Sequence, residues 1–426
     1  MAVAVGTVTI STGAIGTTFT ISGLAFQPTW VALFSSGRAT EGSGEADMRW
    51  HGGFATSTSS RRAYTSQSDH AVGAAAADHM WRDDCVVATL TTAGAIGGLA
   101  DLDAFTSDGF RLIVDDVFPA AQVCGWICGD GDVGIVDFTD PAGTGDQDYN
   151  VGIDMTAGAA DDKFVLFLGA VDAAVNTAQV YSFWTVGFAA GNTPAEAVLA
   201  GNSQDAAGTS VTQAYCRSGR SVASVWDDAV RSRASLTTWL STGFRLNWAE
   251  VDAGTTSRFS ALAVKNTDMR YAVGDALTST GTSNQTENTA YEPTGLLIIS
   301  AARAASSDDA TTAHDTRIVG AADGPSNRWC VAAQDKDASG TTDVWIDTRT
   351  DAIYSNPSVV ATQAVEGLMD IVSFDATPSF TYVMDDADPA QSFFAYLLFA
   401  DAPGGGAATS FPFKRNPGLF SQLFAR

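Results

Sequence analysis

The residues best suited to hold an ion lie in Asp335-Lys336-Asp337-Ala338-Ser339-Gly340-Thr341-Thr342-Asp343. Asp335, Asp337, Ser339 and Asp343 place side-chain oxygens at loop positions 1, 3, 5 and 9, with glycine at position 6, as in the first part of a calcium loop. The acid such a loop needs at position 12 is replaced by Ile346, with Asp347 one place beyond. The flanks, Cys330 to Ala333 and Val344 to Ile346, read as strands rather than helices. A hairpin turn is therefore the favoured reading of this segment, and calcium is the one cofactor that the sequence suggests. Gly129-Asp130-Gly131-Asp132 reads as a turn between domains.

Other chemistries find less support. The histidines are His51, His70, His79 and His314, and they do not recur at matching places. There is no G-x-S-x-G elbow and no H-E-x-x-H helix. Glycosidase chemistry needs only two carboxylates, but aspartates are so abundant, and so often in turns, that their presence decides nothing. The five cysteines, at 85, 124, 128, 216 and 330, lack zinc spacing and are expected to be buried free thiols. Trp81, Trp226, Trp239 and Trp345 are expected in cores rather than on sugar-stacking platforms. The expectation is a protein without catalytic residues.

The elements that would position any such residues are written three times. Phe110-Arg111-Leu112, Phe244-Arg245-Leu246 and Phe380-Thr381-Tyr382 begin alternating runs spaced 134 and 136 residues apart. Upstream of each lies an apolar anchor, Trp30 to Phe34, Phe164 to Leu168 and Leu296 to Ile299. A Gly–apolar step follows it at Gly53-Phe54-Ala55, Gly187-Phe188-Ala189 and Gly320-Ala321-Ala322. Period-two spacing puts Phe110, Leu112 and Val114, and their counterparts, on one sheet face. Gly6 to Ile10 and Thr17 to Ile21 read as an opening hairpin. The Phe110 run and the segment Val123 to Cys128 read as a closing hairpin through Asp115-Asp116-Val117-Phe118-Pro119-Ala120, a turn echoed at Asp385 to Ala390. Pro194 to Leu199, after Thr193, is the best short helix signal. The fold class expected is all-β, with three tandem jelly-roll-like β-sandwich domains at 1–130, 131–268 and 269–402. A C-terminal docking arm is expected over residues 403–426.

Composition agrees with this picture. Glu and Lys are scarce while Ala, Gly, Thr and Asp are common, which disfavours long helices. The net charge of −25 speaks against nucleic acid, which needs clustered Lys and Arg, and against an anionic membrane surface. No apolar run approaches the ~20 residues of a membrane span, and the first residues do not read as a signal peptide. The arm changes character: Phe411, Phe413, Leu419, Phe420 and Phe424 interleave with Lys414 and Arg415 behind a glycine linker. These residues are expected to dock on a neighbouring subunit.

Gly23-Leu24-Ala25-Phe26-Gln27-Pro28-Thr29-Trp30-Val31, followed by Gly53-Phe54-Ala55 and Arg61-Arg62-Ala63, resembles a pattern of tailed-bacteriophage virion proteins. The resemblance covers about the first 115 residues; the second copy loses the Phe-x-Pro element and the third keeps only Glu292-Pro293-Thr294. It implies a structural domain of a tail, baseplate, fibre or capsid decoration, located in the virion, with partners that are other copies of itself and other virion proteins. A carbohydrate-binding adhesin or receptor-binding protein contacting host surface glycans is the alternative, and Trp50 is its candidate loop aromatic.

Overall fold

The anchor strands are apolar at every position, so each needs a hydrophobic neighbour on both faces. The computed structural model shows where those neighbours come from. It describes residues 3–38, 47–70, 76–159, 161–171, 174–191, 193–204, 211–227, 229–303, 311–338, 343–358, 364–389 and 391–403. The arm residues Phe411, Phe413, Lys414, Arg415, Leu419, Phe420 and Phe424, and Ser339 of the loop at 335–343, lie outside these.

The fold is all-β, built as repeated two-sheet sandwiches. In the first unit, one sheet has the order Val3–Ile10, Gln122–Gly129, Trp30–Ser35, Met48–Ser57, Ser60–Ser68, Ala77–Arg82. The other has the order Thr18–Ile21, Gly109–Asp116, Ile96–Thr106, Val87–Leu90. The second unit repeats this order from Asp132–Thr139 to Ser257–Lys265, and the third from Met269–Leu277 to Phe393–Asp401. All these pairings are antiparallel, and no helix among the described residues is long and apolar enough to cross a membrane.

Two expected hairpins are corrected by this topology. Val3–Ile10 pairs with Gln122–Gly129, whereas Thr18–Ile21 pairs with Gly109–Asp116 in the opposite sheet. The opening segment and the Asp-rich turn therefore both carry the chain from one sheet to the other. Alternation and a turn signal are common to a hairpin and to such an arch, so sequence did not separate them. The hairpin that does form joins Ile96–Thr106 to Gly109–Asp116. It is bulged once on each strand, at Asp115 and at Asp103, and the hairpins built on Ala229–Leu240 and Ala364–Asp375 show the same pair of register shifts. Pro194 to Leu199 is also corrected: the strand Ala195–Ser203 occupies most of it, with Ala197 to Leu199 buried.

Register sets the equivalences between units. Leu33, Phe167 and Ile298 pair with Gly53, Gly187 and Gly320. A Cβ on these three glycines would overlap the carbonyl oxygens of Val86, Ser221 and Ile353, each immediately before a strand of the small sheet. The Gly–apolar step is thus a sheet-to-sheet contact that only glycine permits.

The two faces of each anchor strand serve different cores. Val31 and Leu33 join Phe110, Leu112 and Val114 inside the first sandwich; Val165 and Phe167, then Leu296 and Ile298, do the same in the others. The opposite face, with Ala32, Phe34, Leu166, Leu168, Leu297 and Ile299, enters one cluster shared by all three units. The large sheets therefore face one another across the middle of the molecule.

Edge contacts close the ring. Gln179–Val180 of the second unit adds to the edge strand Ala77–Arg82 of the first, and Thr312–Ala313 of the third adds to Thr212–Ser218 of the second. Ser36 of the first unit meets Thr348 of the third through their hydroxyls at 2.8 Å. Each unit so reaches the next in cyclic order, giving an approximate threefold arrangement within one chain.

Gly125 sits where the first and third units touch. Its Cβ would overlap the indole of the fully buried Trp329, whose Nε1 donates to the Trp126 carbonyl at 2.9 Å. Gly125→Val should lower the unfolding free energy by about 1–3 kcal/mol through overpacking. Trp329→Ala should cost about 3–5 kcal/mol. Because Trp329→Ala vacates the space, Gly125→Val should cost less in that background. Urea unfolding of the two single variants and the double variant checks this, and additive losses would show that the two groups do not meet.

Candidate functional site

A buried polar cluster lies where the three large sheets converge. Position by position, Ser68, Ser203 and Asp335 are equivalent, as are Trp50, Trp184 and Arg317. The Asp335 carboxylate accepts the Ser68 hydroxyl at 2.7 Å and the Ser203 hydroxyl at 2.6 Å, one from each other unit. Its second oxygen, Oδ1, has no hydrogen-bond partner among the described residues. One layer away, the Arg317 guanidinium lies 4.9 Å from the Trp184 ring and 6.0 Å from the Trp50 ring, a cation–π contact on two sides. Arg317 is paired with Asp315 and donates to Ser66 at 2.5 Å and to Ser182 at 2.6 Å. Trp184 Nε1 completes the set by donating to Asp315 at 2.8 Å.

All these side chains are buried, so the cluster is a lock between units rather than a cleft open to substrate. A buried ion pair adds little net stability over an apolar replacement, but losing one partner is costly. The Asp315–Arg317 pair can therefore fix the registration of three sheets that apolar contacts alone would let slide.

In the sequence-selected ion loop at 335–343, the described acids each have a partner of their own. Asp335 ends the strand Asn327–Asp335 with its carboxylate turned to the two serines. Asp337 Oδ1 accepts the Thr212 backbone N–H at 3.1 Å, and Asp343 pairs with Lys336 at 3.2 Å. The three acids face three different partners. Among the described residues no group of three or more His, Cys, Asp or Glu side chains is placed to hold a metal.

Residues with reactive side chains are used as staples. His51 Nδ1 accepts the Ala88 N–H at 3.4 Å, and burial lowers its pKa to about 3. His70 Nδ1 accepts the Val344 N–H at 3.1 Å and ties the first unit to the third. His79 reaches the Tyr181 carbonyl at 2.6 Å and the Val171 carbonyl at 2.8 Å, tying the first unit to the second. His314 Nδ1 accepts the Asp337 N–H at 2.9 Å, and burial lowers its pKa. The five cysteines are buried and form no disulfide, and burial pushes the Cys124 and Cys216 thiols up to about 12, which suppresses the thiolate.

The aromatic expectations divide. Trp81 and Trp239 are buried, whereas Trp226 and Trp345 are half-buried. Trp81 lies between the guanidinium groups of Arg62 and Arg258, at 5.5 and 5.1 Å, and donates to Ser260 of the second unit at 2.9 Å. Trp50 is corrected: it belongs to the strand Met48–Ser57, is fully buried, and cannot present a stacking face to a glycan. The sequence signal for the axial lock was faint, because Ser68, Ser203 and Asp335 share a position but not a residue type.

Comparison with protein-family models and with curated proteins gives no match.

Burial makes the axial lock sensitive to pH. It pushes the Asp335 carboxyl from 3.8 up to about 6, with the two serine hydrogen bonds opposing the shift. The folded state therefore binds this proton more tightly than the unfolded chain does. The stability it contributes is full below about pH 4 and is lost as pH rises through about 6, a difference of about 3 kcal/mol. Asp69, Asp323 and Asp370 are raised by burial to about 6 and Asp101 to about 7, so they act in the same direction. Denaturant midpoints should rise from pH 8 to pH 5, and Asp335→Asn should flatten that rise while holding or raising the midpoint at pH 8. A variant whose profile keeps the wild-type slope would contradict the assignment.

Proposed function

We propose that this chain is a structural component of a tailed-phage or phage-like particle, acting by protein–protein assembly rather than by catalysis. The observation that carries the proposal is the closed ring of three sandwiches. Symmetric assemblies are built on closed point groups, and a single chain with approximate threefold form suits a threefold position on a tail, baseplate or capsid surface.

Two further features support it. The outer faces of the small sheets are polar, with pairs such as Arg245–Asp148 at 2.5 Å, Asn247–Asp146 at 2.7 Å and Thr286–Thr381 at 3.3 Å. These surfaces and the net charge of −25 favour a solvated exterior that resists nonspecific clumping. In addition, the histidines and cysteines are spent on holding backbone and core, and what recurs between units is scaffold: apolar core positions, bulges and the glycine contact. The adhesin alternative loses Trp50 as its recognition residue.

Co-expression with the other structural proteins of its particle tests the proposal. The tagged chain should co-sediment with assembled particles and remain attached through a gradient. A chain that stays free under those conditions, with particles assembling to normal yield in its absence, would overturn it.

A further inference from the structure

The axial lock leaves a charge unbalanced. Asp315 and Asp335 lie directly opposite each other on neighbouring strands of the third unit, and both are fully buried. Like charges so placed repel. The Arg317 guanidinium pairs with Asp315 and so offsets one of the two carboxylates. With all three groups ionised, one negative charge remains at Asp335. A buried ionised carboxylate is too costly to leave without a partner.

The carboxylate itself shows where that partner belongs. Its Oδ2 accepts the Ser68 hydroxyl at 2.7 Å and the Ser203 hydroxyl at 2.6 Å. Its Oδ1 has no hydrogen-bond partner among the described residues, and solvent does not reach it. Each serine spends its one proton on Oδ2 and keeps its lone pairs. One carboxylate and two hydroxyls, one group from each unit, therefore gather oxygens with no proton left to share.

We propose that Asp335 Oδ1 and the hydroxyl oxygens of Ser68 and Ser203 hold a dehydrated, sodium-sized cation on the axis of the ring. All three ligands are hard oxygens, which suit such an ion. A monovalent cation brings Asp315, Arg317 and Asp335 to neutrality, whereas a divalent one would reverse the imbalance. A bare sodium ion is smaller than a water molecule and fits where water is excluded; potassium is about as large as water. Met48 and Ser182 stand opposite Ser68 and Ser203, where the third unit has Asp315 opposite Asp335. The excess charge thus occurs once per ring, and one ion per chain follows. Of the loop at 335–343 this site uses Asp335 alone, and it draws its other ligands from the first and second units. The inference does not depend on the assembly proposal.

Salt-dependent urea unfolding of the full chain at pH 8 tests it. Sodium, potassium and choline chlorides are compared at matched concentrations, which holds general screening constant. Above the dissociation constant of the ion, the folding equilibrium constant in sodium, relative to choline, should rise about tenfold for each tenfold increase in concentration. Potassium should give a smaller excess. Asp335→Asn should abolish the sodium excess. Ser203→Ala, which leaves every charge in place, should move the sodium dependence to concentrations about tenfold higher or more. Equal responses to sodium and potassium, no excess over choline, or a sodium excess unchanged in either variant would each overturn the proposal.

Discussion

Everything in this fold depends on the large sheets having two apolar faces. One face can be covered by the unit's own small sheet, but Phe34, Leu168, Ile299 and their neighbours on the other face would then be left in water. Each buried aliphatic or aromatic side chain is worth about 1.5–3 kcal/mol, so a unit standing alone would expose a surface that no solvated sandwich tolerates. Three units turned inward solve this together. The shared cluster, the strands added across unit edges and the histidine staples are all consequences of that one requirement.

Carrying three copies on one chain lets equivalent positions differ. A trimer of identical chains must place the same residue three times around its axis, and three buried aspartates or three buried arginines there would repel one another. Here the axial positions have become Ser68, Ser203 and Asp335 in one layer and Trp50, Trp184 and Arg317 in the next. The result is a single ion pair held between two indoles and a single carboxylate held between two hydroxyls. Covalent linkage thus converts a symmetry constraint into a specific lock, which distinguishes the correct ring from any rotated arrangement of the same sheets.

Much of the fold was legible in the sequence because it is written in side-chain period. The anchor strands, the alternating Phe110, Phe244 and Phe380 runs and the Gly–apolar step all lie where the register places them, and the buried cysteines are as expected. Partner identity was not legible. Phe34 and Leu33 are both simply apolar in sequence, yet one faces its own sandwich and the other the neighbouring units. The arches were read as hairpins because a turn between two alternating strands does not say whether the chain changes sheet. Ala195 to Leu199 has helix-favouring residues, but hydrogen bonds to strands on both sides override local propensity. Asp335 was picked out by its loop spacing, although what governs it is burial between two serines from distant parts of the chain.

The central claim is that the three sandwiches share one core and stand or fall together. Differential scanning calorimetry of the full chain at pH 5 tests it most directly. Three units of a common core should melt in one transition, with a calorimetric enthalpy equal to the van't Hoff enthalpy. Three resolved transitions, each with the enthalpy expected of about 130 residues, would mean that the sandwiches are independent beads and that the closed ring does not hold.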